Sequence, residues 1–257
     1  MKNIVYGLFI LLTALGLSTF TDEAVSTKAI DQSHVSQGYV TVHKPASADK
    51  VVAVVETYDQ KYSYRLDTDT AVLPLQMGDA EYTVTLYENE EGRTVLDQAV
   101  IQVEMDNELA CFLHPNLYVN YTSDSPWVQQ ARKLTKGISE PLLQYKAISD
   151  YVARYFVYDY IKSVTVEDPD NAIPDLERCW DTKMGISQDL AALACAMFRS
   201  QGFPAMLVRG TQEYNSIVHY WTLVYVDNNW VIFDPMLRYN AIAYDNSLYF
   251  PKDPMFY

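Results

Sequence analysis

The spacing of apolar positions changes character near residue 106. Before that point it alternates, as in Glu81-Tyr82-Thr83-Val84-Thr85-Leu86, the pattern of a strand with one face buried. Runs at 39–42, 51–55, 62–66, 71–75, 82–86 and 95–105 repeat this signature between turn residues such as Lys44-Pro45, Asp59 and Met77-Gly78-Asp79. Pro74 has no N–H to give a ladder, so its run is expected only at a sheet edge. Short strands at this spacing predict a small β-sandwich of immunoglobulin-like type over residues 32–105. His34 and His43 have no evident chemical partners in it. The region reads as a spacer or adhesion module.

After a connector at 106–124 the period becomes helical. Ser125-Pro126 predicts a capped start with proline at the first helical position, followed by Trp127, Ala131 and Leu134 on one face. Ser139 is expected to cap a second helix, with Leu143, Ala147, Ile148, Tyr151, Val152 and Tyr155 at helical spacing. A polar loop at 167–175, with Pro169 and Pro174, suits the flank of a cleft. A third helix opens around 185–189, carries the stripe Ile186, Leu190, Leu193, Ala194 and Met197, and ends at Gly202 and Pro204.

Strands are then expected at 206–208, 218–226 and 230–233, the last two as a hairpin across Asp227-Asn228-Asn229. With Asp227-Asn228 as a two-residue loop, His219 falls opposite Met236 and Asp234 becomes its diagonal neighbour on the same face. The tail from 240 is rich in tyrosine and proline and reads as a packed extension without chemistry. Together these signals predict an α+β domain over 106–257.

Residues 1–21 carry one charged side chain, Lys2, ahead of the apolar run 4–17. That run is short for a membrane span and suits a secretory leader, so 1–26 is expected to be a signal peptide. The mature protein is then secreted or held at the cell surface, without stable membrane insertion. An apolar fraction of 49% with 20% charge is that of a globular chain. A formal charge of −14 excludes nucleic acid and anionic lipid as natural partners and favours a protein, peptide or cell-envelope ligand. Three cysteines (Cys111, Cys179, Cys195) are too few for a disulfide scaffold. Cys179 and Cys195 are the pair best placed for a bridge, and Cys195 also fits as a small core residue. Asn120-Tyr121-Thr122 has the form of a glycosylation sequon. There is no metal-ligand spacing, phosphate loop or dinucleotide fingerprint, so no metal or cofactor is expected.

Four segments carry a resemblance: Gly185-Ile186-Ser187, the helix running to Pro204, His219-Tyr220-Trp221, and Trp230-Val231-Ile232-Phe233-Asp234-Pro235. With the upstream helices and Tyr158-Asp159, they resemble the transglutaminase-like superfamily, whose core is shared with papain-type cysteine proteases. The likeness spans about 124–236, and a preceding sandwich is similar to the arrangement of secreted bacterial members. It implies acyl transfer, in which a cysteine thiolate attacks a carboxamide, a histidine handles the proton and an aspartate orients the histidine. By position Ser187 stands at the nucleophile site, His219 is the base and Asp234 the orienting acid. Tyr158 is a candidate oxyanion donor, and Tyr220 and Trp221 are expected to line the cleft.

Serine at 187 is a departure with physical consequences. A helix dipole and a neighbouring imidazolium can draw a thiol into a resting thiolate, but a hydroxyl holds no such ion pair. It needs a histidine acting as general base during attack. Ser187 also has the chemistry of a helix N-cap. Two readings therefore stand: a degenerate member that binds peptide or cell-envelope material, or an acyl-transfer enzyme using Ser187 or a native cysteine at that position.

Overall fold

The structure, a computed structural model, describes residues 28–58, 60–88, 94–166, 172–212, 215–236 and 249–256. The expected signal peptide lies outside them. Seven strands come first: β1 (Ile30–Asp31), β2 (Tyr39–His43), β3 (Val51–Thr57), β4 (Gln60–Leu66), β5 (Thr70–Pro74), β6 (Ala80–Glu88) and β7 (Thr94–Val103). They form two antiparallel sheets, ordered β1-β2-β5 and β4-β3-β6-β7. Val40, Val42 and Leu73 of one and Val51, Tyr64, Tyr82 and Leu86 of the other join the same core. Pro74 closes β5, an edge strand as its missing N–H requires.

The rest of the chain is built around one helix. α1 (Pro126–Thr135) and α2 (Pro141–Tyr155) precede β8 (Val157–Tyr158), α3 (Tyr160–Thr165), α4 (Leu176–Thr182) and β9 (Met184–Gly185). α5 (Ser187–Arg199) follows, then β10 (Ala205–Gln212), β11 (Asn215–Val226), β12 (Asn229–Phe233) and β13 (Tyr249–Phe256). Every residue of α5 from Gln188 to Arg199 is buried, so its apolar stripe is a whole circumference, the signature of a helix enclosed on all sides. α1, α2 and α4 cover it, and a sheet ordered β12-β11-β10-β13 lies beneath it.

Several expectations are corrected. Ser139 caps nothing: α2 starts one residue later, with Glu140 at the cap and Pro141 at the first helical position. Its buried face is Tyr145, Ile148, Ser149, Val152 and Ala153, while Leu143 and Tyr155 are exposed. Tyr151 instead joins an aromatic group with Tyr155, Phe156 and Trp180. Part of the tail is a strand, β13, whose Pro251 and Pro254 are accommodated at a sheet edge. The three cysteines are free and buried.

The β11–β12 hairpin turns on Asp227 (φ 50°) and Asn228 (φ 62°), both left-handed, as a type I′ loop demands. Val226 pairs with Asn229 and Thr222 with Phe233. This is the register that places Asp234 diagonal to His219. Among the described residues no helix is long and apolar enough to cross a membrane.

Candidate active site

Parallel pairing of β8 with β9 sets Tyr158 beside Gly185, immediately before α5. Gly185 is needed there for close approach. A Cβ at this position would sit 2.8 Å from Asp189 Cβ and 3.0 Å from Cys179 Sγ. Ile186 is the N-cap and Ser187 the first helical residue, so Ser187 is not the cap that its chemistry suggested. Ile186 has no side-chain acceptor. The start of the helix is held instead by Asp189, whose Oδ2 accepts the Ile186 N–H at 3.0 Å.

Asp189 is 1% exposed and belongs to a group of charges that sequence reading missed. Lys162 Nζ of α3 donates to both of its oxygens at 2.8 Å, and Asp175 N–H donates to Oδ1 at 3.0 Å. Alongside, Asp159 caps α3 by accepting the Lys162 N–H at 2.9 Å, and it takes the Arg178 guanidinium at 2.7 Å. Asp175 caps α4 through the Arg178 N–H. The local trace of this in the sequence is an aspartate three residues before the capped N–H of α3 and of α4, and three residues after that of α5.

On the sheet side, His219 Nε2 meets Asp234 Oδ2 at 2.7 Å, with both residues buried. A carboxylate only accepts, so Nε2 carries the proton and Nδ1 is left as the basic nitrogen. Met236 N–H donates to the other Asp234 oxygen at 3.0 Å and fixes the carboxylate plane. Trp221 stacks beside the imidazole, with centroids 6.2 Å apart. The structure thus joins two of the three candidate residues. Ser187 is half-buried at the mouth of α5 and makes no hydrogen bond to the ring among the described residues.

Tyr220 and Trp221 do not line an open cleft, being 4% and 2% exposed. Strand alternation explains both. Tyr220 shares its face with Thr222, whose hydroxyl donates to Ala191 O of α5, and so it enters the main core. Trp221 faces the other way, into a small cluster with Val208 and Ile232. Tyr158 is half-buried, its ring edge-on to Tyr160 at 4.9 Å. A cleft of about 370 Å³ lies between the connector and α4, lined by Asn120, Tyr121, Trp127, Asp175 and Glu177 among others, and includes none of Ser187, His219 and Asp234. No group of three or more His, Cys, Asp or Glu side chains among the described residues is placed to hold a metal ion.

Residues 128–235 match the transglutaminase-like superfamily. The match runs from within α1 to the residue after Asp234, just under half of the chain. No curated protein sequence matches the chain. Among solved structures it is similar to one provisionally named a cysteine protease from Cytophaga hutchinsonii, at 17% identity over 77% of this chain and 71% of that one, TM-score 0.41. It is also similar to a structure named a TGase, at 20% identity over 47% of this chain and 31% of that one, TM-score 0.35. Red sea bream transglutaminase matches at 12% identity over 77% of this chain and 47% of that one, TM-score 0.29. The chain therefore spans less than half of either of the last two.

None of the three cysteines stands in for a thiolate nucleophile, all three being buried. Burial pushes the Cys111, Cys179 and Cys195 thiols up to about 12, and at Cys179 the Asp189 carboxylate adds to the effect. Asp159 shifts the other way. The Lys162 N–H and then the Arg178 guanidinium hold its carboxyl below its ordinary value. Because the folded value is the lower one, the unfolded chain binds more protons in acid. The contribution is complete above the unfolded value and is lost as pH falls through the folded one. Between about pH 5 and about pH 3, the urea midpoint of the parent should therefore fall further than that of Asp159→Asn. Equal falls would show that Asp159 carries no such linkage.

Proposed function

We propose that this is a secreted protein whose transglutaminase-like domain retains the histidine–aspartate half of an acyl-transfer site but has lost efficient chemistry at position 187. Its role on this reading is to bind peptide or cell-envelope material. What supports it above all is the contrast within the site. His219 and Asp234 are joined at 2.7 Å, whereas the Ser187 hydroxyl has no hydrogen bond to the base that would have to activate it. A hydroxyl without a base in contact is a weak nucleophile, while a thiol at the same place needs far less help.

The buried His219–Asp234 pair also favours a second reading, an active amidase, peptidase or transamidase that uses Ser187 or a native cysteine there. Parent, Ser187→Cys and His219→Ala proteins separate the two when assayed for amine incorporation, peptide hydrolysis and peptide binding. The degenerate reading expects binding by the parent without turnover, and turnover only in Ser187→Cys. Parent turnover that disappears in His219→Ala would overturn it in favour of the enzyme.

A further inference from the structure

Position 187 lies at the positive end of a helix dipole, equivalent to roughly half a charge, which favours an anion there. Asp189 sits in the same first turn and, if left bare, would more than cancel it. The carboxylate is buried and fixed, because two backbone N–H groups, from Ile186 and Asp175, point at it. Its charge is met by Lys162, whose Nζ lies 2.8 Å from both oxygens and whose side chain is 19% exposed. Lys162 belongs to α3, outside every segment that carries the proposed chemistry.

We propose that Lys162 and Asp189 are a charge-setting pair for position 187, with Lys162 a positioning residue that returns the helix start to a net positive field. The inference rests on reading 187 as the nucleophile position. The other charges packed around the helix start do not do this. Asp159 and Arg178 neutralise each other at 2.7 Å, and the Asp175 carboxylate is turned to the Arg178 N–H. Lys183 lies over the Trp180 ring at 3.4 Å. Asp189 has a second, mechanical task. By holding the Ile186 N–H it fixes the backbone that delivers residue 187.

The test uses the full chain carrying Ser187→Cys and measures the rate of iodoacetamide alkylation of the introduced thiol against pH. The native thiols are buried and give little background. Adding Lys162→Met should slow alkylation at neutral pH about tenfold and raise the midpoint by about one pH unit. Lys162→Arg should stay within about twofold of the Ser187→Cys protein. Asp189→Asn should move the midpoint down, and Lys162→Met with Asp189→Asn should return it toward the starting value. If Lys162→Met does not fold, Asp189→Asn and the double variant decide the matter, since neither leaves a bare buried carboxylate. Shifts of the same sign for Lys162→Met and Asp189→Asn, or no shift in any variant, would overturn the proposal. A midpoint that follows charge in a Ser187→Cys protein without acyl transfer would leave this inference standing and remove the nucleophile reading instead.

Discussion

Ser187→Cys is expected to raise amine incorporation into a glutaminyl peptide by about 10³-fold over the parent, and Asp234→Asn added to it should remove that gain. The first half follows from the nucleophile. At neutral pH a thiol is partly ionised and intrinsically reactive, and the start of α5 offers it a positive field. A hydroxyl in the same place needs its proton taken during attack, and the parent provides no hydrogen bond along which His219 would take it.

The second half follows from the tautomer. Asp234 holds the proton of His219 on Nε2 and keeps Nδ1 basic, and Met236 N–H fixes the carboxylate that does so. An asparagine amide can present a donor to Nε2 instead, which moves the ring proton to Nδ1 and removes the basic lone pair from that nitrogen. Losses of about 10³ to 10⁴ follow from that exchange in triad enzymes. Near-equal rates with Asp234 and with asparagine would mean that the pair is only a packed core contact.

What could be read in the chain follows from how local each signal is. The His219–Asp234 contact was legible because a two-residue Asp227-Asn228 loop fixes the hairpin register, and register fixes which side chains are diagonal neighbours. α5 was legible from its glycines and its apolar run. Tyr220 was misplaced although period-2 alternation already set it opposite His219: the family resemblance suggested a cleft-lining role that strand geometry refuses. β13 was hidden by Pro251 and Pro254, which argue against a strand anywhere but at an edge. The Lys162–Asp189 pair had no local sign. Its residues lie 27 positions apart and meet only because β8 and β9 bring the starts of α3 and α5 together.

Arg199→Met should cost about 3 kcal/mol of stability, a large loss for a single substitution. Arg199 ends α5 and is 3% exposed. Its Nε donates to Ala205 O at 2.8 Å, at the entry to β10, and a terminal nitrogen donates to His114 O of the connector at 2.7 Å. Burial lowers its pKa, yet a guanidinium stays charged at any ordinary pH. Methionine fills most of the volume but leaves both carbonyls without that donor, at about 1–3 kcal/mol each. Where a buried ion pair is replaced whole, packing can make up the loss; here the acceptors belong to the backbone and remain behind. The damage should also spread. His114 packs on Tyr39 of β2 at 5.0 Å, so the same side chain ties the central helix to the N-terminal strands. Urea unfolding of the two proteins measures the difference directly, with exposed Arg132→Met as a control expected within about 0.5 kcal/mol of the parent. A loss below about 1 kcal/mol for Arg199→Met would mean that solvent or neighbouring donors replace the guanidinium freely, and that the helix and the connector are held together by apolar packing alone.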